Sequence, residues 1–136
     1  MSESERTKRL YVPAPSGFGP LPFSNGVLVG DTFYTSGHIG FDPATKKIPD
    51  VLEREVECLM ASLGDTLAKG GLGLDDLVYV QIFCPDTSLF ERFNAVYRRY
   101  IKEPFPARAF IGSGRLLFEA HFEIQGIAVR KAVDRR

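Results

Sequence analysis

Leu77-Val-Tyr-Val-Gln-Ile-Phe-Cys84 is the stretch on which the fold turns. It is rich in β-branched and aromatic residues, and strand alternation puts Val78, Val80 and Ile82 on one face and Leu77, Tyr79 and Phe83 on the other. Both faces are apolar, so the strand is expected to be covered on both sides. Upstream, Leu52, Val56, Leu59, Met60, Leu63 and Leu67 recur at helical spacing, with Asp50 and Glu53 as a capping box and Gly70-Gly71 as the stop. Downstream, Phe90, Phe93, Val96 or Tyr97, and Tyr100 form the stripe of a second helix, with Ser88 and Glu91 at its start and Pro104 beyond its end. Gly26 to Val29 and Thr32 to Gly37 read as a hairpin turning at Gly30-Asp31, and two further strands follow Pro106 and begin near Phe122.

The order is β-β-α-β-α-β-β, an α+β fold with two helices on one face of a sheet. Those helices cover one side only, and no element remains for the other. A second copy of the chain is the expected cover, in a closed symmetric homo-oligomer. Pro13, Pro15, Gly17, Gly19, Pro20 and Pro22 interrupt regular pairing, so residues 1–21 are expected to be an extended arm before a single domain over 22–136.

Among 136 residues, 17 basic side chains balance 17 acidic ones. This gives no field that holds a nucleic-acid backbone or an anionic membrane by charge alone. The polar N-terminus lacks an apolar signal core and no run reaches membrane-spanning length, so a cytoplasmic protein is expected. Cys58 and Cys84 have no metal-clip or redox-pair spacing and suit a reducing compartment.

Two charges stand out in apolar strands. Arg108 heads Ala107-Arg-Ala-Phe-Ile-Gly112, and Glu123 lies in Phe122-Glu-Ile-Gln-Gly-Ile-Ala-Val129, on the same face as His121 and Gln125. An unpaired guanidinium taken out of water costs several kcal/mol, on the order of the penalty for any buried ion. Arg108 therefore needs a partner: Glu123, in a structural ion pair, or a ligand carboxylate. If the two strands adjoin, Arg108 can grip a carboxylate bidentately while Glu123 deprotonates a water. His38 and His121 are the only imidazoles, and neither has metal-ligand spacing to a second His or Cys, so no metal is expected. His38, after Ser36-Gly37, either faces a cleft or is merely hydrogen-bonded or solvated. Ser36 lacks a nucleophile-elbow context. Asn94 reads as a surface residue. Gly112 and Gly114 allow close ligand approach or mark a bulge. Lys69-Gly-Gly-Leu-Gly73 lacks the Lys-Ser/Thr of a phosphate loop and reads as a helix stop.

Pro22-Phe-Ser-Asn-Gly-Val27, Thr35-Ser-Gly-His-Ile39, Phe93-Asn-Ala-Val-Tyr97, Phe105-Pro-Ala-Arg108 and Phe122-Glu-Ile-Gln-Gly-Ile-Ala-Val-Arg130 occur in an order and spacing that resembles the RidA/YjgF family, from about Pro22 to Arg130. The resemblance implies a chorismate-mutase-like fold, a homotrimer whose sheets form a central barrel, and ligand clefts between subunits. It implies cofactor-free hydrolysis of small enamine or imine carboxylates, of the 2-aminoacrylate, 3-aminoacrylate or 2-aminomuconate type, to a keto or aldehyde acid and ammonia. In that pattern Arg108 clamps the carboxylate, Glu123 handles the water, and Ser36, Gly37 and Asn94 line the cleft, with Phe23, His38 and Phe110 beside them. Several positions depart from the family's usual residues. Phe23 stands for a tyrosine, Phe110 for a cysteine, Ala109 for a serine and Gln125 for a second glutamate, which makes the pocket more apolar. A non-catalytic keto-acid or amino-acid binding module, an endoribonuclease and a purely structural or chaperone-like role are the rival readings.

Overall fold

The computed structural model describes residues 2–132. A seven-stranded mixed sheet carries two long helices. Strands β1 (Arg9–Pro13), β2 (Ser24–Val29), β3 (Thr32–Thr35), β4 (His38–Ile39), β5 (Leu77–Cys84), β6 (Ala107–Gly112) and β7 (Glu123–Val129) lie in the order β1-β2-β3-β7-β5-β6, with β4 also on β7. Only β5 and β6 are parallel, joined across helix α3 (Phe90–Tyr100); the other pairs are antiparallel. Helix α2 (Leu52–Ala68) packs beside α3. From β2 onward the expected α+β order holds except for the added two-residue strand β4 before α2, and the hairpin turns at Gly30-Asp31 as the sequence indicates.

The core lies between the helices and one sheet face. Val56, Leu59, Met60, Leu63 and Leu67 of α2 and Phe93, Val96 and Tyr97 of α3 are buried against Phe33, Val80, Ile82, Phe122, Ile124 and Ala128. Each of the larger aliphatic and aromatic side chains contributes about 1.5–3 kcal/mol on leaving water. Phe33 fills the gap left by two glycines: a Cβ on Gly26 or Gly70 would come within 2.3 or 2.5 Å of its ring. Gly71, in left-handed backbone at φ 78°, ends α2, and Gly70 beside it makes room for a core aromatic.

Several local expectations are corrected. The arm is shorter than residues 1–21, since Glu3–Thr7 form a five-residue helix, α1, capped by the Ser2 hydroxyl. Residues 9–13 then pair with β2 as an edge strand, and Pro13 is tolerated at the irregular end of that ladder. Neither proposed capping box forms. The N-cap of α2 is Val51, without a side-chain cap, and the carboxylate of Asp86, not Ser88, accepts a backbone N–H at the entry to α3. In β5 the register shifts between Leu77 and Tyr79, so Leu77 joins Val80 and Ile82 in the core while Val78 is turned out, 48% exposed.

The second sheet face is uncovered in the single chain. Tyr11, Val27, Tyr34, Ile127 and Tyr79 are register neighbours in a row across five strands, and Tyr11 and Tyr34 are 56% and 49% exposed. Gln125 donates to Gln81 beside that row at 2.7 Å. Among the described residues no helix is long and apolar enough to cross a membrane.

Candidate active site

Glu123 opens β7 and stands at the wall of a cavity of about 500 Å3, which Phe23, Asn25, Ser36, Gly37 and His38 also line. Its carboxyl is half-buried, and no hydrogen-bond or ion-pair partner touches it among the described residues. Burial alone pushes its pKa above the ordinary glutamate value. Gly37 is what admits it: a Cβ there would lie 2.6 Å from Glu123 Oε2.

The other polar groups of this wall are occupied with one another. The Ser36 hydroxyl donates to the Ser24 carbonyl, which makes it a strut between strands and not a free nucleophile. His38 is buried, with Nδ1 2.7 Å from the Ser36 carbonyl and Nε2 2.7 Å from Thr66 Oγ1. A carbonyl only accepts, so the proton is on Nδ1; Thr66 then donates to Nε2 and accepts from Asn25 Nδ2 at 2.9 Å. Burial lowers the pKa of His38, which favours this neutral arrangement. His38 therefore borders the cavity as part of its frame.

Below Glu123, the buried Glu55 of α2 accepts from the His121 backbone N–H at 2.8 Å and from His121 Nδ1 at 2.7 Å. This clamp fixes the chain two residues before Glu123. His121 shares strand parity with Glu123 yet turns to α2, a use that alternation alone does not reveal.

Arg108 occupies a separate recess of about 210 Å3, with Asn94, Tyr97, Arg98, Phe105 and Pro106. Its guanidinium carbon lies 4.9 Å from the ring centre of Tyr97, 5.6 Å from Phe90 and 5.9 Å from Phe110. Three aromatic faces thus hold the cation. No carboxylate among the described residues pairs with it. Asn94 is buried and not at the surface, and its Oδ1 and the Tyr97 hydroxyl are both buried without a partner. Burial raises the Tyr97 pKa, while the charge of Arg108 pulls it down.

The strands of Arg108 and Glu123 do not adjoin, so the condition for the two to meet within one chain is not fulfilled. Strand β5 lies between β6 and β7; Arg108 is in register with Val80 and Glu123 with Phe83, so the two project from opposite faces. The two recesses share no lining residue. A structural Arg108–Glu123 pair within one chain is excluded by the same geometry. Gly112 and Gly114 line neither recess; Gly112 instead makes room for Thr87, 3.1 Å from its would-be Cβ.

Sequence reading missed Asn25, Thr66, Glu55 and the aromatic cage of Arg108. Phe90 and Tyr97 gave only a helical core signal, and the Asn25–Thr66 contact joins residues 41 apart. Another unforeseen feature is the loop at Leu117–Glu119. Phe118 and Glu119 both have left-handed backbone, φ 59° and 57°, a conformation worth about 1–2 kcal/mol of strain per non-glycine residue. Among the described residues no cluster of three His, Cys, Asp or Glu side chains is placed to hold a metal ion.

The family model described as endoribonuclease L-PSP matches residues 18–130. A 2-iminobutanoate/2-iminopropanoate deaminase of Bos taurus is 33% identical over 118 residues, 86% of this chain and 85% of that protein. A RutC family protein of Haemophilus influenzae is 34% identical over 122 residues, 87% of this chain and 92% of the relative. The crystal structure of RidA from the Antarctic bacterium Psychrobacter sp. superposes with a TM-score of 0.78 at 30% identity, covering 88% of this chain and 94% of that one. With the motif order, the sheet topology and these likenesses in agreement, the chain belongs to the endoribonuclease L-PSP family, the RidA/YjgF proteins.

Proposed function

We propose that this protein hydrolyses small imine carboxylates to 2-keto acids and ammonia, in sites that two copies of the chain build together. The observation that carries the reading is a pair of unsatisfied groups: a caged guanidinium without a counter-ion and a desolvated carboxyl without a hydrogen bond, on opposite faces of one sheet. A small acid with an electrophilic C=N carbon supplies what both lack. Arg108 of one copy binds the carboxylate by charge-assisted hydrogen bonds. Glu123 of the next takes a proton from water as its oxygen attacks the imine carbon and passes it to the nitrogen, giving a carbinolamine; it then takes the remaining hydroxyl proton as the carbonyl forms and hands it to the nitrogen as the C–N bond breaks and ammonia leaves. An enamine substrate first tautomerises to the imine. A carboxyl whose pKa is raised by desolvation suits this two-way proton traffic.

The assembly is a homotrimer in this reading, its open sheet faces turned inward. The tyrosine-rich row on that face, and an Arg108 recess that lies on the other side of the sheet from Glu123, both support it. The relative named 2-iminobutanoate/2-iminopropanoate deaminase gives the reaction class, and the residues supply the roles. The described residues offer no pair of free imidazoles for the acid–base work of RNA cleavage: His38 is engaged at both nitrogens, which leaves His121, held through Nδ1 by Glu55, alone. This argues against a nuclease reading of the family's descriptive name.

Ammonia release from freshly generated 2-iminopropanoate, with wild type, Arg108→Ala and Glu123→Gln, tests the proposal. Loss of about 10²–10⁴ in rate is expected for Glu123→Gln. Arg108→Ala is expected to raise KM most. Equal rates in all three proteins refute the assignment, and keto-acid binding without turnover in wild type points to a binding module instead.

A further inference from the structure

We propose that the cavity beside Glu123 contains a subsite for a bulky apolar side chain, so that the preferred substrate is a 2-imino acid bearing an aromatic or branched aliphatic group. The inference rests on the reading of Glu123 as the residue at the reacting carbon. Phe18, Phe41 and Phe118, from three separate segments, close a triangle on this cavity, with ring centres 5.4, 5.0 and 5.8 Å apart and tilted or edge-to-face contacts. These rings are not core: Phe118 is 58% and Phe18 37% exposed. Phe118 is presented there by a left-handed backbone, φ 59°, a conformation that bulky residues rarely take. Strain of that kind is typically held where a ligand-facing side chain must be aimed.

The chemistry of the wall points the same way. The hydroxyl of Ser36, both nitrogens of His38 and one amide N–H of Asn25 are consumed internally, which leaves Glu123 as the charged group, with the Ser62 hydroxyl, on a largely hydrocarbon surface. The cavity measures about 500 Å3. A three-carbon imino acid needs far less, roughly 180 Å3 if each of its six non-hydrogen atoms is given the volume of a liquid water. An added phenyl or isobutyl group meets the aromatic triangle without displacing any hydrogen-bonded group.

The test compares kcat/KM for the imines generated in situ from alanine, leucine and phenylalanine, in wild type, Phe118→Ala and Phe41→Ala, together with calorimetric binding of pyruvate and phenylpyruvate. The proposal expects the bulky imines to be favoured by about tenfold or more. It also expects each variant to reduce that ratio by about tenfold and phenylpyruvate to bind more tightly than pyruvate. Phe118 is exposed, so its truncation leaves the core intact and carries the test even if Phe41→Ala does not fold. A turnover ratio at or below one, or a ratio unmoved by Phe118→Ala, overturns the subsite while leaving the deaminase reading standing. Tighter phenylpyruvate binding, lost in Phe118→Ala, with no turnover of any imine, keeps the subsite and removes the deaminase reading. No turnover and no binding preference removes both.

Discussion

Arg108 and Glu123 stand on opposite faces of one sheet, with β5 between their strands: the first pairs with Val80 and the second with Phe83, three residues along. Bringing them together within a chain would require breaking the β5–β6 or β5–β7 ladder, the two most extensively paired interfaces that β5 makes. The proposed deaminase site is therefore assigned to a contact between copies, with each copy contributing a different half.

Gly37 gives the first prediction. Its backbone lies outside the left-handed region, so alanine is conformationally acceptable, but a methyl there would sit 2.6 Å from Glu123 Oε2. Gly37→Ala should fold with an unchanged circular dichroism spectrum while turnover of 2-iminopropanoate drops by about 10²-fold, the scale of a 1 Å misplacement of a reacting group. Full activity in a folded Gly37→Ala protein removes Glu123 from the reaction.

The raised pKa of Glu123 sets a pH-dependent stability. Desolvation favours the protonated form in the folded state, so the carboxyl is harmless below its unfolded pKa, near 4.3, and its penalty develops as pH rises through the higher folded value. Ligand-free Glu123→Gln should then melt above wild type at pH 7, and the difference should vanish near pH 4. If Glu123→Gln instead melts lower at pH 7, the carboxylate is held by a guanidinium and is not kept for water.

Thr66 links His38 to Asn25 behind the cavity. Thr66→Val keeps the shape and removes the hydroxyl, leaving the His38 Nε2 and an Asn25 N–H unpaired at a cost of about 1–3 kcal/mol. Thermal denaturation should show a lowered midpoint for Thr66→Val and a nearly normal one for Thr66→Ser. Because burial lowers the pKa of His38, its contribution is present above the unfolded value near 6.5 and is lost as pH falls toward the folded one. A Thr66→Val protein as stable as wild type would show that this chain of hydrogen bonds frames nothing.

Periodicity and composition made the helices and most of the sheet legible, because an apolar stripe at Leu52 to Leu67 or a β-branched and aromatic run at Leu77 to Cys84 has few other uses. The bulge after Leu77 escaped, since it depends on which residue of β7 lies opposite. Both caps were misplaced for a related reason: Ser, Asp and Glu spacing shows where a cap can form, while the entry angle of the chain decides which oxygen is used. Arg108 and Glu123 were visible as lone charges in apolar strands, but their faces depend on the intervening strand, which sequence order does not reveal. The triangle of Phe18, Phe41 and Phe118 joins residues up to a hundred positions apart, through a left-handed turn that carries no glycine to announce it.

The most direct test of a site shared between copies is complementation of two inactive variants. Arg108→Ala and Glu123→Gln are each purified, mixed one to one, dissociated and reassembled, and assayed for ammonia release from 2-iminopropanoate. With random assortment, a site drawing its glutamate from one variant and its arginine from the other arises at about one half times one half, so about a quarter of wild-type activity should return. No recovery in a mixture shown to have exchanged subunits would mean that both residues act within one chain, or not at all.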